Sequence, residues 1–446
     1  MHHTFRFLLF TLLLFIIGSS KNGYCNEKTA SPELGLDDFV ELALQNNPGI
    51  TVARNQVWAA EGRNTQAVSG YLPQLVATGD AGRMHIKNLL PEDEDNVLSR
   101  SISARQLIFD FGKTRGLISA SNHETEAAIA YLNTVGSDIV FQVKGAYYDV
   151  LAKHYLIMVA NDQVSSYTMH YDRALEYYKA GVKSKIDVTN AEVELSKSNL
   201  LLLQRQFALK SSKVALHRIV GLVPENGKYH IQMDERDPTD FSNFLLPIPG
   251  SLQELLQKAT EQRPDLVRAQ RKIDSAQSTL TVAESGYWPE IGAKGSYNTY
   301  DTDLATLNDQ WQVGIGLDWE FFSGFRTNGE VTEAKSNLRS TRAQLRDTQL
   351  NAIQEVTDSF HLAEEKRDSV FLADKITKLA KENLDLADGR YKTGLGDMIE
   401  FNDAQIRFTE SKSNLVTTYF AYNTALANLE NATGFFPDMS LPDTEE

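Results

Sequence analysis

The longest regular pattern in the chain is an apolar residue at every seventh position, kept far beyond the length of an ordinary helix. Two proline-free segments carry it, with apolar positions at Val143, Val150, Ile157, Val164, Tyr171 and Tyr178 in the first and at Leu372, Leu379 and Leu386 in the second. A sustained seven-residue period is typical of helices that pack in left-handed coiled coils. We therefore predict long helices over 113–179 and 326–391, each about 100 Å long, with returning helices over 186–220 and 397–433.

A short motif stands between each long helix and its returning helix, and its two copies are nearly identical. The first begins at Tyr178 with Tyr-Lys-Ala-Gly-Val, and the second begins at Tyr391, 213 residues later, with Tyr-Lys-Thr-Gly-Leu. The same offset places Asp187 on Glu400. Glycine permits the backbone that ends a helix, and acids favour the first turn of the next one. The chain is therefore predicted to contain one helical hairpin twice.

Each hairpin is preceded by a helical segment that a proline divides and then by two segments with a period of two. The helical segments are predicted over 36–71 and 252–287, and the strands over 75–86, 97–111, 291–300 and 311–322. In the last strand Trp311, Val313 and Ile315 alternate with polar residues or glycine. About nine to eleven residues suffice for a tilted strand to cross a bilayer. From the strands alone, a half-buried sheet in a soluble protein fits equally well.

The predicted organisation is a duplication with a leader, a linker and a tail. The leader is a secretory signal segment over 1–25, with an apolar run at 7–17 and small residues before Cys25. A retained anchor or a lipid-modified Cys25 stays open. The other parts are a first repeat over 26–221, a linker over 222–250, a second repeat over 251–435 and an acidic tail over 436–446.

Composition and motifs narrow the function classes. The formal net charge of −15 argues against a nucleic-acid partner. Cys25 is the one cysteine, so no disulfide can form within the chain. The histidines have no metal-ligand spacing, and phosphate-binding loops and nucleophile motifs are absent from the sequence. We expect no enzyme activity, no cofactor and no metal site.

Four strands per chain are too few to close a membrane barrel. An open sheet in lipid would leave unpaired backbone groups, each costing several kcal/mol. If the strands enter a bilayer, the chain must therefore oligomerise. Three copies would supply twelve strands, an even number within the range of outer-membrane barrels.

The order of these motifs resembles that of the TolC-like outer-membrane efflux protein family, the outer membrane factors. The resemblance rests on the duplicated element order, the opening Ala43-Leu44-Gln45-Asn46-Asn47-Pro48, a Gly-Tyr-x-Pro motif at Gly70 and again at Gly286, the strand ends Ile108-Phe109-Asp110-Phe111-Gly112 and Phe321-Phe322-Ser323-Gly324, and the two glycine tips. It implies a mainly α fold with a β-barrel part, built from a duplicated helical-hairpin and β-hairpin repeat. The assembly would be a homotrimer with a twelve-stranded outer-membrane barrel continued by a long periplasmic α-helical barrel.

The resemblance also implies a function, partners and a location. The protein would be the passive exit duct of a tripartite efflux or type I secretion system, spanning from the lipid of the outer membrane into the periplasm. Its partners would be a periplasmic adaptor and an inner-membrane pump of RND or ABC type. From the residues alone, two alternatives stay open. A periplasmic adaptor would also have a helical hairpin, but it should show one hairpin inside β-rich domains rather than two around strand pairs. The other alternative is an exported coiled-coil scaffold. It explains the heptads and the leader but not the duplicated strand pairs.

The resemblance places candidate site residues at the hairpin tips. The periplasmic gate falls on Tyr391, Glu400 and Asp403, and the adaptor-contact tips fall on Ala180, Gly181, Val182, Thr393, Gly394 and Leu395. Some family members place an arginine two residues after the second tip glycine, where this chain has Gly396. Glu400 and Asp403 are three residues apart on one helical face, so a trimer would set six carboxylates around one opening. Simple helix capping is the alternative role for these acids.

Overall fold

The computed structural model describes residues 33–84, 95–223, 230–232, 237–301, 308–437 and 439. The predicted signal segment with Cys25, most of the acidic tail and the loop over 85–94 lie outside these residues. In chain order the elements are β1 (Glu33–Leu34), α1 (Leu36–Asn46), α2 (Pro48–Val68), β2 (Gln74–Met84), β3 (Asp95–Phe109), α3 (Lys113–Lys179), α4 (Lys185–Val220), β4 (His230–Ile231), α5 (Leu252–Gln262), α6 (Pro264–Ser285), β5 (Glu290–Asp301), β6 (Asn308–Asp318), α7 (Arg326–Lys392) and α8 (Met398–Ala432).

The short helices of each half meet at a proline. Pro48 begins α2 and Pro264 begins α6, because the first helical position needs no backbone amide. Asn47 caps α2 by accepting a hydrogen bond from the Gly49 amide at 2.7 Å. Its side-chain amide also donates to the Ile219 carbonyl at 2.6 Å, which ties this junction to the end of α4.

Four strands form one antiparallel sheet in the order β2-β3-β5-β6. The central pair, β3 and β5, joins the two repeats, with Arg105 opposite Lys294 in the register. On β6 the side chains of Trp311, Val313, Ile315 and Leu317 share one largely exposed apolar face. The backbone edges of β2 and β6 have no strand partner among the described residues.

Two of the strands end earlier than predicted. β3 ends at Phe109 rather than at 111, because the Asp110 carboxylate accepts hydrogen bonds from the Gly112 and Thr114 amides and so starts α3. Phe111 there has a φ of 53°, outside the range of a strand. β6 ends at Asp318 rather than at 322, and the Trp319 indole donates to the Tyr287 carbonyl at 3.2 Å instead of continuing the strand.

The long helices form an open layer rather than a closed bundle. α3 contacts α2, α4, α6 and α8, and α7 contacts α6 and α8. Near its start α3 meets α6, where the hydroxyls of Ser119 and Ser278 are 3.0 Å apart. Near its end it meets α8, where Ser166 donates to Gln405 at 2.8 Å. α4 and α7 therefore stand at the outer edges of the layer.

The largest core lies midway along the long helices. Val143, Val150, Leu216, Leu415 and Tyr422 have essentially no exposed surface there. The segment between the repeats crosses this level. β4 pairs in parallel with β1, and the 3-10 helix Pro238–Phe244 inserts Phe241 against Tyr155, Tyr419 and Phe420.

The predicted heptad track on α3 holds for only part of the helix. Val143 and Val150 are buried, but Ile157, Val164 and Tyr171 are half-buried and Tyr178 is exposed. Beyond 150 the buried positions include Tyr155, Val159, Tyr167, His170 and Ala174. A seven-residue track drifts by about 20° per heptad on a straight helix, so it leaves the packed face.

Within the described residues, the helices are all too polar or too short to qualify as membrane spans.

Candidate gate and docking site at the hairpin tips

The two hairpin tips have the same backbone geometry. Gly181 and Gly394 both adopt left-handed backbone, with φ of 75° and 76°. The next amide in each tip, Val182 or Leu395, donates back to a carbonyl of the long helix at 2.9 Å. This arrangement closes a helix end, so both long helices stop in the same way.

The residues predicted as adaptor contacts are all exposed: Ala180, Gly181, Val182, Thr393, Gly394 and Leu395. Val182 and Ile186 at the first tip are 69% and 70% exposed, and Leu395 and Ile399 at the second are 75% and 70% exposed. The two pairs are related by the 213-residue offset. Each tip thus presents an apolar pair at equivalent positions, and paired exposed apolar side chains are typical of contact surfaces.

The acids that follow the two tips are held differently. Asp187 accepts hydrogen bonds at 3.0 Å from both the backbone amide and the hydroxyl of Ser184, so it caps α4. In the second tip Asp397 takes the capping position, accepting from the Glu400 amide at 2.8 Å. Glu400 is therefore freed from capping.

Glu400 instead pairs with an arginine across the turn. Its carboxylate Oε1 lies 3.0 Å from Nε of Arg390. Asp403, one turn further along α8, is exposed and forms no ion pair within the described part of the chain. The structure brings Glu400 and Asp403 together on the exposed side of α8, at one end of the molecule.

Tyr391 lies apart from these two acids. Its side chain is 3% exposed and packs with Met398 and Phe401 between the two hairpins. The Lys183 ammonium lies 5.8 Å from the ring centre. Burial and the nearby Asp187 raise the pKa of the Tyr391 hydroxyl. Within one subunit, Tyr391 therefore fastens the first tip to the second.

The contact between the two hairpins around Tyr391, Met398 and Phe401 forms a seam, and a buried histidine also belongs to it. The sequence analysis did not identify this histidine as part of the site. The His170 ring lies 3.6 Å from that of Phe401 between centroids, and its Nε2 is 3.8 Å from the Asp388 carboxylate. Burial, aided by the charge of Arg173, lowers the pKa of His170 to about 4. The sequence signal that could have found His170 is its spacing from Tyr167 and Ala174, which follows the helical period rather than the heptad. The structure shows that all three side chains are buried.

Asp388 is the acid on which the cations of the seam converge. Arg173 Nη1 lies 3.3 Å from it, and Lys392 pairs with its other oxygen. Hydrogen bonds and charge from these two cations outweigh burial and lower the pKa of the Asp388 carboxyl. No group of three His, Cys, Asp or Glu side chains in the described residues is arranged to hold a metal ion. The tips themselves present fixed charges and exposed apolar side chains.

Comparison with known proteins supports this reading of the fold. The family model described as "Outer membrane efflux protein" matches residues 39–222 and 255–435, one match per repeat. Outer membrane protein TolC of Escherichia coli (strain K12) is 22% identical over 445 residues, covering 96% of this chain and 87% of TolC. The probable efflux pump outer membrane protein TtgC of Pseudomonas putida is 20% identical, covering 90% of this chain and 82% of TtgC.

A solved structure shows the same fold. The crystal structure of the outer membrane protein VceC from Vibrio cholerae matches with a TM-score of 0.76 and 19% identity, covering 90% of this chain and 96% of that one. The predicted mainly α fold with a duplicated repeat is confirmed. The predictions of an outer-membrane efflux duct, and of a channel rather than an enzyme, are confirmed as well. The chain belongs to the outer membrane efflux protein family.

Proposed function

We propose that three copies of this chain assemble into one exit duct, and the observation that carries the proposal is the open sheet. β2 and β6 stand at its two edges, and the exposed side chains of β6 on one face are apolar. An apolar sheet with free edges is stable in lipid only when the edges are paired. Pairing β6 of one subunit with β2 of the next, three times, joins twelve strands into a ring.

The edge helices support the same assembly. On α4 five exposed apolar residues follow a heptad: Ile186, Val193, Leu200, Phe207 and Val214. On α7 three of the exposed leucines, Leu372, Leu379 and Leu386, are also seven apart. Exposed apolar heptads are typical of helices that pack against a partner. In the proposed trimer α4 of one subunit packs against α7 of its neighbour, and the helices close a tunnel below the barrel.

The tips are the proposed point of entry. The exposed pairs Val182 with Ile186 and Leu395 with Ile399 form a ring of small apolar contacts in a trimer. That ring suits the helical tip of a periplasmic adaptor, with an inner-membrane pump of RND or ABC type behind it. TtgC is described by its own name as part of an efflux pump. The segment over 1–25 is the proposed export signal.

Glu400 and Asp403 are the proposed gate, because they lie on one exposed side of α8 at the tip. A ring of acids in a narrow opening attracts cations and repels anions. Tyr391 is buried in the seam and takes a positioning role in this proposal, holding the second hairpin against the first.

Planar-bilayer recording tests the gate directly. Replacing the two acids together, with Glu400→Gln and Asp403→Asn, is expected to lower cation selectivity and to weaken block by divalent cations. Asp187→Asn at the first tip is the matched control, because Asp187 is equivalent in position to Glu400 but caps its own helix. The gate assignment fails if the double variant conducts and selects like the unmodified protein.

A further inference from the structure

The arginine beside Glu400 is fastened to the second tip at several points. Its Nε lies 3.0 Å from one oxygen of Glu400 and 3.3 Å from the other. Its Nη2 donates to the Leu395 carbonyl at 3.4 Å. Its backbone carbonyl accepts from the amides of Leu395 and Gly396 at 2.9 and 3.0 Å. Arg390 thus lies along the turn, with 55% of its side chain exposed.

Gly396 lies close to the Arg390–Glu400 pair. A Cβ atom at Gly396 would lie 3.0 Å from Cβ of Arg390 and 3.1 Å from Oε2 of Glu400. Both distances are shorter than ordinary contacts between such atoms. A side chain at 396 would therefore crowd the Arg390–Glu400 pair as it stands here.

The first tip lacks this arrangement. At the positions 213 residues earlier, Tyr177 stands in place of Arg390 and Lys183 in place of Gly396. Asp187, in place of Glu400, caps its own helix. The arginine–glutamate pair is therefore specific to the tip that carries the two candidate gate acids.

The remaining charges of the second tip are already engaged, with one exception. Lys392 pairs with Asp388, and Asp397 caps α8. Glu400 has Arg390 within 3.0 Å, whereas Asp403 has no ion-pair partner within the described residues. A cation so close to a carboxylate cancels most of its field at distances beyond the pair. This cancellation depends on where the charges lie, so it does not require the pair to be strong.

We propose that Arg390 is a selectivity-determining residue of the channel: its guanidinium compensates Glu400, and Asp403 is left as the carboxylate that sets the cation selectivity of the opening. The proposal rests on the proposed function, in which the second tips of three subunits surround one aperture. It assigns three effective charges to the gate where the sequence alone suggested six.

The test is the ratio of potassium to chloride permeability, measured from reversal potentials across a planar bilayer with a salt gradient. Asp403→Asn is expected to lower this ratio several-fold. Arg390→Gln is expected to raise it several-fold, because Glu400 is then uncompensated. Glu400→Gln is expected to lower it, because the arginine charge is then unopposed. Combining Arg390→Gln with Glu400→Gln should return the ratio toward the original value.

Two controls separate charge from damage to the turn. Arg390→Lys keeps the positive charge and should stay close to the unmodified protein in selectivity. Lys179→Gln removes an exposed cation from the first tip and serves as the matched charge control. Every variant is first checked for the oligomer seen with the unmodified protein.

The outcomes distinguish the proposed role of Arg390 from the proposal that Glu400 and Asp403 form the gate. If Asp403→Asn lowers the ratio while Arg390→Gln leaves it unchanged, the gate stands and the role of Arg390 is overturned. The same conclusion follows if Arg390→Lys behaves like Arg390→Gln, because geometry and not charge is then responsible. If none of the replacements changes selectivity, the gate assignment fails and the role of Arg390 fails with it.

Discussion

His170 is a neutral imidazole enclosed between the two hairpins. Its Nδ1 is buried without a hydrogen-bond partner in the described residues, and Asp388, Arg173, Lys392 and Tyr391 are the titratable groups around it. The pKa of about 4 lies well below the ordinary value of 6.5, because burial and the neighbouring cations disfavour the charged ring. Folding therefore favours the neutral form.

The lowered pKa of His170 makes the stability of the fold depend on pH. A group whose pKa is lowered on folding binds fewer protons in the folded state, so stability falls as the pH drops from about 6.5 towards 4. The full loss for this shift is about 3 kcal/mol. We expect the midpoint of thermal unfolding of the helical part to change less between pH 7 and pH 4.5 in His170→Gln than in the unmodified protein. An equal change of the unfolding midpoint between the two pH values in both proteins would contradict this account of the seam.

Gly221 illustrates a constraint of a different kind. It ends α4 with a φ of 82°, and a Cβ atom there would lie 2.4 Å from the Asn46 carbonyl oxygen. Gly221→Ala should therefore cost about 3 kcal/mol, from backbone strain and overlap together. Gly181→Ala is the matched control, since Gly181 has a φ of 75° with open space around its Cβ position.

We expect Gly181→Ala to cost only about 1 kcal/mol, the strain alone. Circular dichroism melts in detergent, compared at one scan rate, would measure the difference. Equal losses in the two variants would show that the contact with α1 does not matter.

At the scale of single elements, β6 presents two chemically distinct faces. Val313 and Ile315 lie on the apolar face, and Gln312 and Gly314 lie on the other. If the apolar face meets lipid, Val313→Arg should cost about 2–4 kcal/mol near the middle of the bilayer. Gln312→Arg, one position away on the opposite face, should be tolerated.

The measurement is the amount of each variant recovered as oligomer in the outer-membrane fraction. A strong loss for Val313→Arg with little loss for Gln312→Arg is the expected result. A loss of similar size for both would mean that the alternation along β6 does not report which side faces lipid.

The exposed heptad of α4 gives a second prediction at this scale. Replacing Leu200 and Phe207 by glutamate places two charges on the stripe proposed to pack against the neighbouring α7. The trimer should then dissociate, because unpaired charges would be buried in the interface. Gln206→Glu, on an exposed position about 100° around the helix from Phe207, should leave it intact.

Gel electrophoresis without heating reports this outcome, because a stable trimer migrates above the monomer. Retention of the trimer in the double variant would place the subunit contact elsewhere on the helical layer.

A feature could be predicted from the sequence when the residues that form it lie close together along the chain. The hairpins and their tips follow from local patterns, the seven-residue period and the copied glycine motif. The Arg390–Glu400 pair could not be foreseen, because it depends on how the backbone turns after Gly394. The packing of His170 against Phe401 and the pairing of β3 with β5 join residues far apart along the chain. No local pattern reports such contacts.

In the molecule as a whole, the two repeats do not form separate halves. The sheet joins them through β3 and β5, and the helical layer joins them through α3 with α6 and α8. What remains open is the outer boundary, with β2 and β6 at the sheet edges and α4 and α7 at the layer edges. Self-association through these edges would cover the sheet and the helices at the same time.

The mass of the purified protein in detergent, corrected for bound detergent by light scattering, tests this claim most directly. The account predicts three times the mass of one chain, with no stable monomer. A protein that is monomeric and remains in solution without detergent would contradict it, because a single open sheet and a single open helical layer cannot enclose a passage.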